Sequence, residues 1–418
     1  MKSFIINISI ISPTEGIMSK KKSRASKRSK ALKKQRAAAA SKREADANKK
    51  VTEKKADKPK KDIKMPMSDL LKIVGVFAAA AVMLVVGLWA FKAAEGHSIL
   101  SQRNELSSAG IDSYLEADVN GIKQYVHIRG QNKNMPMLLI FPDYPGYLCA
   151  SSDYLLGSEL ESYFTVVTWD MRGTGQTEVL NAENGIDSGS EFTYTDIADD
   201  AQGICDYVRT RLGREDDRFI VLGYSWGSAA AADFARRYSG YVSAYIGVSQ
   251  IADLRLGITS GLMDEAQNRL SGGSVEKFNE YVDAVKLVNA EEKTISAEAL
   301  RNAAEMLGSK YAPSLYDIDV SPFCGRKAYS AFKTAPKRTD AYLRSIGEFN
   351  GSNFTSCLAL VNFHLVYGEN DRITPVTTAE PYLGSGERIS RIEGAGHELL
   401  FENFSETADI IRKIVYGS

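Results

Sequence analysis

Phe219-Ile220-Val221-Leu222-Gly223-Tyr224-Ser225-Trp226-Gly227-Ser228-Ala229-Ala230-Ala231-Ala232-Asp233-Phe234 is the stretch on which the reading of this chain turns. The apolar run Phe219 to Leu222 suits a buried strand, and Ser228 to Phe234 opens a helix. A serine flanked by glycines between the two describes a tight turn that lifts the Ser225 hydroxyl above a sheet. Side chains two residues either side of such a serine would collide with neighbouring backbone, so both positions call for glycine. An ordinary glycine-flanked turn has the same spelling. The distinction rests on whether an acid and a base come later in the chain in that order.

Downstream, Phe363-His364-Leu365-Val366-Tyr367 reads as a strand and runs into Gly368-Glu369-Asn370-Asp371-Arg372. Asp371, just beyond the strand, is the candidate acid, with Glu369 as the alternative. A second alternating segment, Arg388-Ile389-Ser390-Arg391-Ile392, leads through Glu393 into Gly394-Ala395-Gly396-His397-Glu398. The small residues there leave an imidazole room to reach the serine, so His397 is the candidate general base.

Serine is a poor nucleophile at neutral pH, and the three types divide the work. His397 would take the Ser225 proton during attack and return it to the leaving group, while Asp371 fixes the imidazole tautomer and stabilises the imidazolium. The chain has 4 histidines. His97 adjoins an apolar run, His127 alternates within Tyr125-Val126-His127-Ile128-Arg129, and His364 lies inside a strand, so these three read as structural or surface residues.

The zero net charge conceals an asymmetry. Residues 1 to 64 hold 21 Lys/Arg against 6 Asp/Glu, and residues 73 to 418 hold 30 against 45. Between them Ile73 to Phe91 is uncharged over 19 residues and bracketed by Lys72 and Lys92, long enough to cross a bilayer and lacking the polar face of a core helix. A cleaved signal peptide has a shorter apolar region and a short leader. The expectation is a retained anchor in the cell membrane, with the basic residues 1–72 cytoplasmic and the body extracytoplasmic. The Lys/Ala/Ser/Arg composition of the tail predicts disorder, with a role in topology and contact with anionic lipid rather than nucleic-acid binding. Residues 1 to 17, with their Ile-rich run, differ in character from the basic tail, which makes Met18 an alternative start.

The 4 cysteines lie in the body at 149, 205, 324 and 357, without metal-ligand spacing. Cys205, in the helical stretch Ile197 to Leu212, reads as a buried small hydrophobe, and Cys324 with Cys357 is the disulfide to test. No cofactor or metal is expected.

Along the body, strands expected at Ser113 to Glu116, Gln124 to Ile128, Met137 to Phe141, Phe164 to Trp169, Phe219 to Leu222, Ala244 to Val248 and Phe363 to Tyr367 alternate with helices, the pattern of a doubly wound sheet. From Ile251 to Cys357 the pattern is helical: Asp264 to Arg269, Val275 to Val288, Ala297 to Leu307 and Ala328 to Ala335. An insert of that length reads as a lid. The resulting division is a tail at 1–72, a span at 73–91, a linker at 92–112, a core in two parts at 113–253 and 359–418, and a cap at 254–358. On the cap, Asp264, Glu265, Glu276 and Glu280 suggest either an amine subsite or a solvated helix face, the latter being the simpler.

From about residue 114 onward the chain resembles α/β-hydrolases of the proline iminopeptidase type. The resemblance is carried by Trp169-Asp170-Met171-Arg172-Gly173-Thr174-Gly175-Gln176-Thr177, by Gly223-Tyr224-Ser225-Trp226-Gly227, and by Gly368-Glu369-Asn370-Asp371 with Gly394-Ala395-Gly396-His397. The chain order Ser, Asp, His is that of the α/β-hydrolase fold. The resemblance implies a serine hydrolase acting on a small peptide or ester, a helical cap that selects substrate, and the Trp226 amide as one oxyanion donor. Relatives carry H-G-G-P-G where this chain has Pro142-Asp143-Tyr144-Pro145-Gly146. Pro142 has no N–H to give, so the Tyr144 amide is the expected second donor. A non-catalytic binding module on the same fold is the alternative. A change of chemistry to that of epoxide hydrolases or dehalogenases would need a carboxylate where Ser225 stands.

Overall fold

The computed structural model describes residues 66–103, 105–144, 148–156, 158–189, 191–308, 314–383 and 388–417. Contacts divide the chain into two units, Met1–Met83 and Leu84–Ser418. Residues 1–65 of the tail expected to be disordered, the alternative start at Met18, and Pro145 and Gly146 lie outside the described residues, and the rest of that tail is corrected here, because the helix begins at Met67.

The apolar run lies in one helix, α1 (Met67–Gln102), long and apolar enough to cross a membrane. Its side chains, Val82, Leu84, Val85 and Trp89 among them, are exposed. The expected linker at 92–112 is corrected here, because α1 continues to Gln102 and the first strand starts at Ile111. Lys92-Ala93-Ala94-Glu95 are good helix formers. Lys92 Nζ lies 2.6 Å from Asp319, and Gly96 lies against Val320 and Pro322, which gives this stretch partners that a free linker lacks.

The body is built on β1 (Ile111–Val119), β2 (Ile122–Gly130), β3 (Met137–Ile140), β4 (Thr165–Trp169), β5 (Phe219–Tyr224), β6 (Val242–Val248), β7 (Phe363–Gly368) and β8 (Ile389–Ile392). They form one sheet in the order β1-β2-β4-β3-β5-β6-β7-β8. Asn120-Gly121, both at positive φ, make the two-residue turn that pairs β1 with β2 antiparallel. β2 also meets β4 antiparallel, and all later pairings are parallel.

Strands β3, β4 and β5 are buried throughout, and their period of two sends alternate residues to opposite faces. Leu139, Val167 and Val221 share one core with helices α4 (Tyr194–Leu212) and α5 (Gly227–Arg237). Leu138, Val166 and Ile220 share the other with Leu160 of α2 (Glu159–Tyr163) and with α13 (Leu399–Glu402) and α14 (Phe404–Tyr416). Helix α3 (Gly175–Ala182) comes directly after β4.

Between β6 and β7 stand seven helices and, among the described residues, no strand: α6 (Leu254–Ser271), α7 (Val275–Val288), α8 (Ala297–Leu307), α9 (Leu315–Val320), α10 (Arg326–Arg338), α11 (Asp340–Ile346) and α12 (Gly351–Leu358). These occupy the expected cap. All four cysteines are free and buried. The Cys324–Cys357 pairing fails because Cys324 sits in a small cluster with Ala328 and Phe332 while Cys357 belongs to the main core.

Candidate active site

The carboxyl ends of four parallel strands converge on one place. Ser225 follows β5, Ser249 follows β6, Asp371 lies three residues past β7, and His397 lies five past β8. Open α/β sheets place their ligand sites at such strand ends.

Ser225 has φ +48°, a left-handed conformation rare for a residue with a side chain. The surroundings enforce it. A Cβ on Gly223 would lie 2.8 Å from the Ala231 Cβ and 2.9 Å from the Ser228 Cα, and one on Gly227 would lie 2.5 Å from the Pro142 carbonyl oxygen. Both flanking glycines are therefore required by close approach, as the sequence predicts, and the second contact brings the Phe141–Tyr144 loop directly against the start of α5.

Ser225 Oγ lies 2.7 Å from His397 Nε2. On the other side of the ring Nδ1 lies 2.9 Å from both oxygens of Asp371. A carboxylate there places the proton on Nδ1, which leaves Nε2 to accept from the serine hydroxyl. Asp371 is itself fixed, since Oδ1 accepts the amides of Ile373 and Thr374 at 2.9 Å and Oδ2 accepts the Thr374 hydroxyl at 2.8 Å. Ser249, a second left-handed residue, donates its hydroxyl to the His397 carbonyl at 2.7 Å and so holds the base from behind.

Burial alone would raise the Asp371 pKa, yet the neighbouring imidazole and the Thr374 donors hold it below the ordinary carboxylate range. For His397 burial acts downward, but Asp371 foremost, then Glu398 and Asp143, outweigh it and carry the imidazole up to about 9. Ser225 is 2% exposed and His397 6%.

Of the residues expected from the sequence, Ser225, His397 and Asp371 are brought together. Glu369 is exposed and accepts the Gly394 amide at 3.1 Å, away from the imidazole. His97 is exposed, His364 bonds Ser390, and His127 is fully buried in a separate ion cluster. Trp226 stands at the start of α5 with Tyr144 beside it, their rings edge to face at 6.4 Å. Asp264, Glu276 and Glu280 are exposed, whereas Glu265 is buried and pairs with Arg269 and with Arg372, tying α6 to the acid loop.

Three further residues belong to the site without being marked by its motifs. The Glu398 carboxylate accepts the Tyr224 hydroxyl, both groups being buried beside His397. Asp143, on the loop that meets Gly227, lies within electrostatic reach of both Glu398 and His397. Each is adjacent in sequence to a residue expected in the triad or the oxyanion hole, and that adjacency is the signal the sequence offers. Among the described residues no group of three His, Cys, Asp or Glu side chains is arranged to hold a metal.

A sheet in this order, with a buried Ser–His–Asp constellation at its strand ends and a helical insert between β6 and β7, defines the class. The chain belongs to the alpha/beta hydrolase fold family, which matches residues 136–404. Among relatives, a probable aminopeptidase YbaC of Bacillus subtilis (strain 168) is 28% identical over 138 residues, 33% of this chain and 41% of that protein. The proline iminopeptidase PfmaB of Pestalotiopsis fici (strain W106-1 / CGMCC3.15140) is 25% identical over 126 residues, 30% of this chain and 40% of that protein. The chain thus spans about two fifths of each of these relatives. The carboxylesterase CesB (YbfK) from Bacillus subtilis aligns in three dimensions with TM-score 0.48 and 15% identity, covering 79% of this chain and 98% of that one.

Proposed function

We propose that this protein is a serine hydrolase that forms an acyl-enzyme at Ser225, and that its substrates are small peptides with a free amino terminus or carboxylic esters. The observation that carries the reading is the 2.7 Å contact between Ser225 Oγ and His397 Nε2, with Asp371 on the opposite ring nitrogen. In the acylation step Oγ attacks the substrate carbonyl, its proton passes to Nε2, and the imidazolium returns that proton to the departing amine or alcohol. Water then repeats the sequence on the acyl-enzyme. The negative charge that builds on the carbonyl oxygen falls to the amide of Trp226, whereas the Tyr144 amide, the other donor expected from the sequence, is bonded to the Asp143 carboxyl. The helices between β6 and β7 are the part of the chain proposed to take part in substrate selection. The names of the two matched relatives favour the peptidase side of this reading.

A fluorophosphonate probe tests the proposal directly. The full-length protein is expected to label, and Ser225→Ala to lose labelling and turnover by about 10⁶-fold. An unlabelled wild type, or a Ser225→Ala variant that labels equally, overturns it. The accompanying reading is a single-pass anchor within residues 73–91, an N-terminus in the cytoplasm and an extracytoplasmic body. It is supported by the excess of Lys and Arg ahead of the span. Protease added to intact cells should digest the body, and a protected body reverses the orientation.

A further inference from the structure

The Phe141–Tyr144 loop presents a group that acyl transfer by Ser225, His397 and Asp371 leaves unused. Asp143 stands where relatives place the first glycine after the histidine of the loop motif. Its carboxyl lies against the backbone amides of Tyr144 and Gly227, so it takes up the amide expected as the second oxyanion donor and sits beside the neighbour of Trp226. The close contact of Pro142 with Gly227 holds it there. Its Oδ1 is shielded from solvent and finds no hydrogen-bond partner among the described residues. Buried polar atoms in native proteins are nearly always paired, and an orphan oxygen in a substrate site has the substrate as its natural partner.

The titratable groups around Asp143 come from several elements: His397 and Glu398 after β8, Tyr224 at the end of β5, and Tyr342 on α11. Burial first, then the Glu398 carboxyl, push the Asp143 pKa up to about 8, against the opposing pull of His397 and the two amides. A charged carboxylate beside a forming oxyanion would repel it, whereas a neutral acid has an O–H to offer.

We propose that Asp143 works as a neutral carboxylic acid, accepting the loop amides through one oxygen and donating O–H from the other to the substrate oxygen that becomes negative. This rests on the serine-hydrolase reading. As the bond from Ser225 Oγ to the carbonyl carbon forms, the carbonyl π pair moves onto oxygen and the serine proton goes to His397. Asp143 keeps its own proton throughout and supplies a hydrogen bond that strengthens with the charge. It compensates in place for the glycine-lined loop that this chain lacks.

The test uses the full-length protein in detergent micelles, with the fluorophosphonate labelling rate and p-nitrophenyl acetate hydrolysis measured from about pH 6 to about pH 10. For wild type the rate is expected to pass through a maximum, because turnover needs His397 without its proton and Asp143 with its own. Asp143→Asn keeps a neutral N–H donor of the same shape, so its rate should rise to a plateau with no alkaline fall. Asp143→Ala should lose about 10² to 10³ in rate at neutral pH. The role of Asp143 is overturned if Asp143→Ala labels as fast as wild type or faster, or if Asp143→Asn retains the alkaline fall. A wild type that never labels removes the serine-hydrolase reading along with it, whereas a labelled wild type with an unimpaired Asp143→Ala removes this inference alone.

Discussion

Two buried histidines in this protein sit between hydrogen-bonding partners, and only one of them meets a serine hydroxyl. His127, on β2, has a carboxylate at each nitrogen, Asp153 at Nδ1 and Asp112 at Nε2. The Tyr114 ring stacks on it at 3.9 Å, and Arg129 binds Asp112 and Glu161 in the same cluster. His397 has a carboxylate on one nitrogen and a hydroxyl on the other. Burial lowers the pKa of both rings, and in both the neighbouring carboxylates outweigh it. The difference lies in the second nitrogen. With an acid at each nitrogen His127 has none left to meet a hydroxyl, while in the proposed mechanism the nitrogen of His397 that meets Ser225 is the one that exchanges a proton.

The contrast is broken most strongly at Asp371. Asp371→Asn keeps the size of the side chain but no longer dictates the tautomer, so hydrolysis should fall by about 10⁴-fold while the fold survives. An active Asp371→Asn protein would mean that the imidazole is oriented by Thr374 and Ser249 alone.

The counterpart change at the other histidine should act on stability and spare chemistry. His127→Asn removes the imidazole that faces Asp153, while Asp112 keeps Arg129, an expected loss of about 3–5 kcal/mol in urea unfolding, with turnover per folded molecule unchanged. The pH dependence sharpens the point. Because the folded pKa of His127 is raised above the ordinary histidine value of 6.5, its contribution is complete below that value and fades as pH climbs through the folded pKa. The deficit of His127→Asn should therefore shrink toward alkaline pH, and a deficit that grows would place the proton elsewhere.

Much of this is legible in the chain because the fold concentrates its chemistry at strand ends. Ser225 and Asp371 come after short apolar runs and His397 after an alternating segment, with glycines around Ser225 and ahead of His397, so local pattern is sufficient to find them. Glu369 is closer to its strand than Asp371, and only the turn that buries Asp371 under Thr374 decides between the two. Helix α4 starts three residues ahead of the expected Ile197 because Thr193 and Asp196 form a capping box. Helix α3, opening on Gly175, has no apolar periodicity to announce it, and its sequence shows only a loop motif. Asp143 and Glu398 come within electrostatic reach across 255 positions of sequence, and no local pattern announces such an approach.

The backbone at Ser225 has a bearing on how this protein would evolve in the laboratory. A side chain held at φ +48° costs of the order of 1–3 kcal/mol, and only glycine adopts that conformation without penalty. A selection for heat resistance that ignores turnover will find that relief, since a glycine at position 225 unburdens the turn and discards the proposed nucleophile in one step. Stabilised libraries of this chain accordingly enrich for inert members at this codon, and activity has to be scored in the same round.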